Sequence, residues 1–266
     1  MTERSGTFTV EYTGRVAIVT ICNEKKLNAL NLSGYYELSQ ILREIAKHDE
    51  VFITFLTAKG RFFSAGADVS ISRATPEDGP SNDVYQQWLR SFVANNLNTT
   101  QAFYTHPKVL VVGLNGPVVG LSAALVAFAD FVYCTPSTFL LTPFSSLGLR
   151  LGISKANEAL IMSRRIPSDE LLQTGFVNKV FDIDVKKDGG DAKFRAAVLQ
   201  EIDDRLGEHL VGDSLTGIKA LIRKPETEVL DKQNVAEVFA GLDRFITGIP
   251  QAEFAKLASG AKRHKL

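Results

Sequence analysis

Apolar positions follow two rhythms along the first half of the chain and mainly one along the second. Residues 7–12 and 15–21 are rich in β-branched and aromatic side chains and are separated by Thr13-Gly14, which predicts a hairpin. Between 32 and 45, Leu32, Leu38, Ile41, Leu42 and Ile45 recur at helical spacing. Residues 51–57 and 109–114 are short unbroken apolar runs, the pattern of strands covered on both faces. Residues 84–103 read as a helix that Pro107 prevents from continuing, 120–128 as an apolar helix, and 131–134 and 139–141 as short strands. Residues 73–82, polar with Gly and Pro, carry the signals of a mobile loop.

Past Gly152 helical patterns dominate, at 153–162, 169–173, 194–209, 215–223 and 229–245. One strand-like piece at 176–181 and a charged turn at 186–191 interrupt them. Strand–helix units followed by a helical tail predict an α/β layered fold: a core over residues 1–190 and a C-terminal helical region over 191–266. The most apolar stretch, 109–134, is broken by Asn115-Gly116-Pro117 and contains Asp130, so it reads as strand, turn, helix and strand, with no membrane span.

Composition narrows the function classes. The 266 residues suit one large domain, or one domain with an appended helical piece, and 45% hydrophobic content supplies a sizeable core. Lys+Arg and Asp+Glu balance at 30 each, so no overall field attracts nucleic acid. Cys22 and Cys134 make neither a disulfide framework nor a metal set, which implies a reducing compartment. No two of His48, His106, His209 and His264 share ligand spacing on one helix face, so no metal is expected. Residues 1–6 lack the apolar or arginine-rich pattern of a targeting segment. The last three residues, His264-Lys265-Leu266, are similar to the peroxisomal Ser-Lys-Leu address, with His where a small residue is usual; a frayed basic tail of a cytoplasmic protein is the alternative.

Two glycine turns carry the chemistry. Ser64-Ala65-Gly66-Ala67-Asp68 follows the first buried strand, and its small side chains let a ligand approach the backbone. Asn115-Gly116-Pro117-Val118-Val119-Gly120-Leu121-Ser122-Ala123-Ala124 follows the second and opens a helix, where N–H groups are unpaired. Either turn alone is ordinary packing. Together they can aim two N–H donors at one oxygen, the arrangement that stabilises a thioester enolate.

In these turns the chain resembles the crotonase superfamily of acyl-CoA enzymes. Residues 62–68 look like its first oxyanion motif and 115–124 like its second. Lys26-Leu27-Asn28-Ala29-Leu30 looks like the loop placed against the CoA adenine, and Phe144-Ser145-Ser146-Leu147-Gly148-Leu149 like the approach to the second wall of the site. The likeness runs over residues 10–257 and is strongest to the fungal peroxisomal Δ3,Δ2-enoyl-CoA isomerases, which share Leu-Ser-Ala-Ala with Leu121–Ala124. It implies ββα layers and backbone donors at Ala67 and Leu121. It also implies a substrate site along Lys26, Asn28, Ala29, Ser64, Ala65, Gly66, Ala67, Asp68, Gly120 and Leu121. The implied partner is an acyl-CoA substrate with no further cofactor. Trimers or hexamers built through the C-terminal region are implied as well, and the tail adds a peroxisomal import receptor.

The resemblance breaks at the base. Isomerisation needs a group that takes a proton from the carbon between alkene and carbonyl and returns it at the far end. Family hydratases use two glutamates, the first of which falls at Ala124 here, so a hydratase is the weaker reading. The isomerases keep the second, in a turn soon after Leu-Gly-Leu. Here Leu147-Gly148-Leu149 runs straight into Arg150, and a segment of about a dozen residues is missing where connections usually span ~4–6. Asp68 is a substitute base only against the usual role of such an Asp, which is to bond backbone. Glu158 reads as a solvated helix position, Asp130 as the end of a turn, His106 as a surface or capping residue, and Trp88 and Phe92 as packing or tunnel wall. The alternatives are an enoyl-CoA isomerase, a non-catalytic acyl-CoA-binding protein, and a shortened translation of a longer active gene.

Overall fold

The computed structural model describes residues 6–68, 83–142 and 148–259. The loop expected at 73–82, most of the 144–149 segment and the C-terminal tripeptide lie outside them. Strands β1 (Phe8–Thr13) and β2 (Val16–Ile21) form the expected hairpin, paired from Phe8 with Ile21 to Thr13 with Val16. Next come α1 (Leu32–Ile45) and β3 (Ile53–Ala58), and later β4 (Val109–Leu114). β3 and β4 are buried along their whole length, as unbroken apolar runs require when both faces are covered. With β6 (Phe131–Cys134) and β9 (Lys179–Val180) they complete a six-stranded sheet in the order β1-β2-β3-β4-β6-β9, parallel after the hairpin. A second sheet joins β5 (Val118–Val119), β7 (Phe139–Leu141) and β8 (Ile166–Pro167).

Helices cover both faces of the large sheet. On one, Tyr35, Leu38, Ile41, Leu42 and Ile45 of α1 pack with Val19, Leu56, Leu110 and Val112. On the other, Phe194, Val198, Ile202 and Leu206 of α8 (Gly190–Leu206) pack on Ile18, Ile53, Phe55, Val109 and Val111. The strands' alternation sorts these side chains to opposite faces.

The helix expected at 84–103 forms as α2 (Val84–Trp88), a π turn (Leu89–Val93) and α3 (Ala94–Tyr104). Trp88 and Phe92 pack there against Val238, Leu242 and Phe245. Those partners belong to α9 (Gly212–Ile246), which is continuous where the sequence predicts two helices, 215–223 and 229–245. Pro225 removes one hydrogen bond, the one to the carbonyl of Leu221. Leu221 is 75% exposed, so water can replace that partner. The remaining helices are α4 (Gly120–Val126), α5 (Gly148–Leu151), α6 (Ile153–Leu160), α7 (Ser168–Gln173) and α10 (Ile249–Ala258).

One polar reading gains partners and two change. Asp130 accepts from the Leu110 N–H at 2.7 Å and pairs with Lys219 at 2.7 Å and Arg223 at 3.1 Å, so it fastens α9 to the sheet. His106 is buried, 2.8 Å from the Thr54 hydroxyl, because Thr54 points into the same enclosed layer at the start of the strands. Glu158 is only partly exposed, held by Lys155 and Arg164 beside Glu170.

Candidate active site

The site forms where parallel strands β3 and β4 end, because their following turns meet there. The turn after β3 spans Lys59 to Asp68, and the turn after β4 runs from Asn115 to Gly120. They join in a short parallel bridge: the Ser64 N–H donates to Pro117 O at 3.3 Å and the Val119 N–H to Ser64 O at 3.0 Å. Glycine permits this approach. A Cβ at Gly116 would lie 2.1 Å from Arg61 O, and one at Gly66 would lie 2.8 Å from Val119 O. Gly66 and Gly120 have φ of +89° and +63°, the left-handed region that favours glycine.

The loop from Asn23 to Leu30 closes a third side. The Leu30 N–H donates to Gly66 O at 3.0 Å and the Asp68 N–H to Leu30 O at 2.8 Å. In such a parallel bridge the middle residue, Ala67, turns its own N–H away from Leu30. That direction leads toward Gly120, whose Cβ position is 4.0 Å from the Ala67 nitrogen. Ala67 is exposed, and Leu121 sits in the first turn of α4, where no preceding helical carbonyl exists to accept its N–H. The Ala67 N–H therefore faces the turn that leads into Leu121.

The sequence-predicted residues divide into three groups. Gly66, Gly120 and Leu121 lie where the two turns meet, and Ala29 and Ala65 spend their N–H groups within the flanking loops, on Lys26 O and Leu27 O. Asn28 and Ser64 are fully buried, and their side chains hold the loops. Asn28 donates to Lys59 O at 2.8 Å and Phe62 O at 2.7 Å while its Oδ1 accepts from the Asn23 N–H at 2.8 Å. These bonds sustain left-handed backbone at Leu27 and Asn28, φ 51° and 57°, which is costly for Leu. Lys26 is 62% exposed and pairs with Asp68 at 2.7 Å. The candidate phosphate-binding cation and the candidate base thus occupy each other. A groove of about 520 Å³ opens beside this loop, with Lys59, Arg61 and Lys186 among its lining.

Sequence reasoning missed a buried hydroxyl cluster beneath the cleft, formed by Tyr35, Ser122 and Ser64. The signal was present but weak: Tyr35 lies three residues from both Leu32 and Leu38, on the apolar face of α1. Among the described residues of the segment that follows β6, no carboxylate stands in for the base. The sequence has no Asp or Glu between Asp130 and Glu158, and both of those are ion-paired elsewhere. Ala124, at the position of the hydratases' first glutamate, is buried.

The geometry defines a layered α/β protein in which paired glycine turns meet at strand ends. The chain belongs to the enoyl-CoA hydratase/isomerase family, whose model matches residues 11–188. It is 68% identical to a Delta(3,5)-Delta(2,4)-dienoyl-CoA isomerase of Pyricularia oryzae, over 98% of this chain and 100% of that protein. It is 33% identical to the 3,2-trans-enoyl-CoA isomerase of Saccharomyces cerevisiae, over 95% of this chain and 94% of the yeast protein. Among solved structures, an enoyl-CoA hydratase from Mycobacterium avium subsp. paratuberculosis shares the fold at a TM-score of 0.78 with 19% identity, covering 96% of this chain and 100% of that one. The Pyricularia alignment has 280 positions against a chain of 266 residues, so at least 14 of its positions have no residue here.

Proposed function

We propose that the chain is an enoyl-CoA isomerase of fatty-acid β-oxidation, shifting a 3-enoyl double bond to the 2-trans position. The observation that supports this is the close approach of the two glycine turns, with Gly66 against Val119 and the Ala67 nitrogen near Gly120. A thioester oxygen placed there accepts from both N–H groups. Removing the proton between alkene and carbonyl puts negative charge on that oxygen, and each such donor lowers the barrier by ~3–4 kcal/mol. Lys59, Arg61 and Lys186, set against the single carboxylate of Glu24, leave the neighbouring groove with a net positive lining suited to the phosphates of CoA. The substrate brings its own CoA, and no further cofactor enters the scheme. The 68% relative's name favours a dienoyl substrate as a variation on the same proton shift.

A second reading is acyl-CoA binding without turnover. It is favoured by the missing alignment positions together with the pairing of Asp68 to Lys26. Self-association into trimers or hexamers and peroxisomal import through His264-Lys265-Leu266 complete the proposal. The test is turnover of 3-trans-hexenoyl-CoA, followed by ultraviolet absorbance of the conjugated product, alongside an acyl-CoA binding titration. Turnover above a no-enzyme blank supports the isomerase, binding alone supports the second reading, and absence of both rejects the acyl-CoA assignment.

A further inference from the structure

The hydroxyl cluster beneath the cleft has only one self-consistent direction. Ser64 Oγ donates to Asn28 O at 2.9 Å and accepts from the Gly66 N–H at 3.1 Å. A hydroxyl has one proton, so at the 2.9 Å contact between Ser122 and Ser64, Ser122 is the donor. Its proton is then spent, so Tyr35 donates across the 3.0 Å contact to Ser122. The chain runs Tyr35 to Ser122 to Ser64 to the Asn28 carbonyl and spans α1, α4, the turn after β3 and the Asn23–Leu30 loop.

Its placement matters more than its strength. Ser122 follows Leu121, and Gly66, bonded to Ser64, precedes Ala67. The pair of serines therefore ties the residue next to one N–H donor to the residue next to the other. We propose that Tyr35 and Ser122 are positioning residues that set the spacing of the Ala67 and Leu121 N–H groups and so the polarisation of a bound thioester. This rests on the oxyanion reading of the cleft. All three hydroxyls are almost wholly enclosed, where apolar side chains of similar shape would fill the space without desolvating polar groups. Burial pushes the Tyr35 phenol well above its ordinary value, which keeps it a proton donor at any physiological pH.

The experiment uses the full chain and 2,4-hexadienoyl-CoA, whose thioester absorbance moves to longer wavelength when its carbonyl is hydrogen-bonded. A titration gives affinity and the red shift at saturation separately. Tyr35→Phe and Ser122→Ala are expected to bind within about threefold of the parent while losing roughly half or more of the shift, because donor geometry controls the developing charge more than ground-state binding. Tyr36→Phe, at an exposed neighbour, keeps the full shift. Where turnover of 3-trans-hexenoyl-CoA is measurable, kcat falls on the order of tenfold with KM little changed. A parent-sized shift in both folded variants overturns the proposal. A parent protein that binds the probe without any shift overturns the oxyanion reading, and the positioning role falls with it. If Ser122→Ala fails to fold, Tyr35→Phe, which keeps the ring, decides alone.

Discussion

At the scale of single residues, the site is built from glycines whose need is steric and from polar groups whose need is satisfaction. Gly66→Ala drives a Cβ to 2.8 Å from the Val119 carbonyl at a backbone φ of +89°. Gly120→Ala meets nothing nearer than 3.6 Å and bears only the strain of φ +63°. The first is expected to cost about 2–3 kcal/mol and to abolish thioester polarisation, the second about 1–2 kcal/mol. Thermal unfolding with the red-shift titration checks both; equal, mild effects would mean that the turns do not touch. His106 makes a pH prediction. Burial, then the charges of Lys219 and Lys108, lower its pKa from 6.5 to about 3, so the folded state holds it neutral. The unfolded chain binds the proton first as pH falls. The stability of this arrangement is intact above about pH 6.5 and drains away as pH drops toward 3. Denaturant unfolding of the parent and His106→Gln at pH 7, 6 and 5 is expected to show a shallower acid loss in the variant. The glycine turns were legible in the sequence because only glycine tolerates such approach. His106 was not, because its burial depends on Thr54 facing it from another strand.

At the scale of elements, unbroken apolar runs and 3.6-residue spacing located the hairpin, the central strands and most helices to within a few residues, since burial on one or both faces dictates those patterns. Short elements such as β5, β8 and α10 were not anticipated, and two readings changed. Residues 176–181 read as a strand because Phe176, Val177 and Phe181 are apolar, yet only Lys179–Val180 pairs with β6. Phe176 and Val177 enter the main core from loop backbone. The two predicted helices at 215–223 and 229–245 fuse into α9, because packing against α3 and the Asp130 pairing outweigh one hydrogen bond lost at Pro225. The distal half of α9 depends on the cluster of Trp88, Val93, Val238 and Leu242. Leu242 is 1% exposed, and Leu242→Ala is expected to cost about 2–5 kcal/mol. Hydrogen exchange should show that loss concentrated in residues 229–246 while β3 and β4 keep their protection. An even loss across both regions would show instead that the distal helix and sheet unfold as one unit.

At the scale of the whole molecule, the paired turns proposed to hold an acyl thioester form without a carboxylate for proton transfer in the described segment after β6. The large sheet carries two turns to a common point, α1 and α4 supply the hydroxyls beneath them, and the Asn23–Leu30 loop closes the side. None of this relies on the connection after Leu149. The scaffold was readable from sequence because it is made of local turns after recognisable strands. The fate of catalysis depends on whether the alignment positions without a residue here fall between Leu149 and Arg150, and on whether Asp68 leaves Lys26 when substrate arrives. Inserting that relative's intervening segment between Leu149 and Arg150 separates the two. If the base lies in the missing segment, the parent chain binds 3-trans-hexenoyl-CoA and the insertion raises turnover by ~10²–10⁴ at similar affinity, the usual contribution of a placed general base. If the parent already turns over at the rate of the insertion variant, the base is among the residues present, and Asp68→Asn is then expected to remove the activity. The Lys26 pairing would in that case be a resting contact that the substrate breaks.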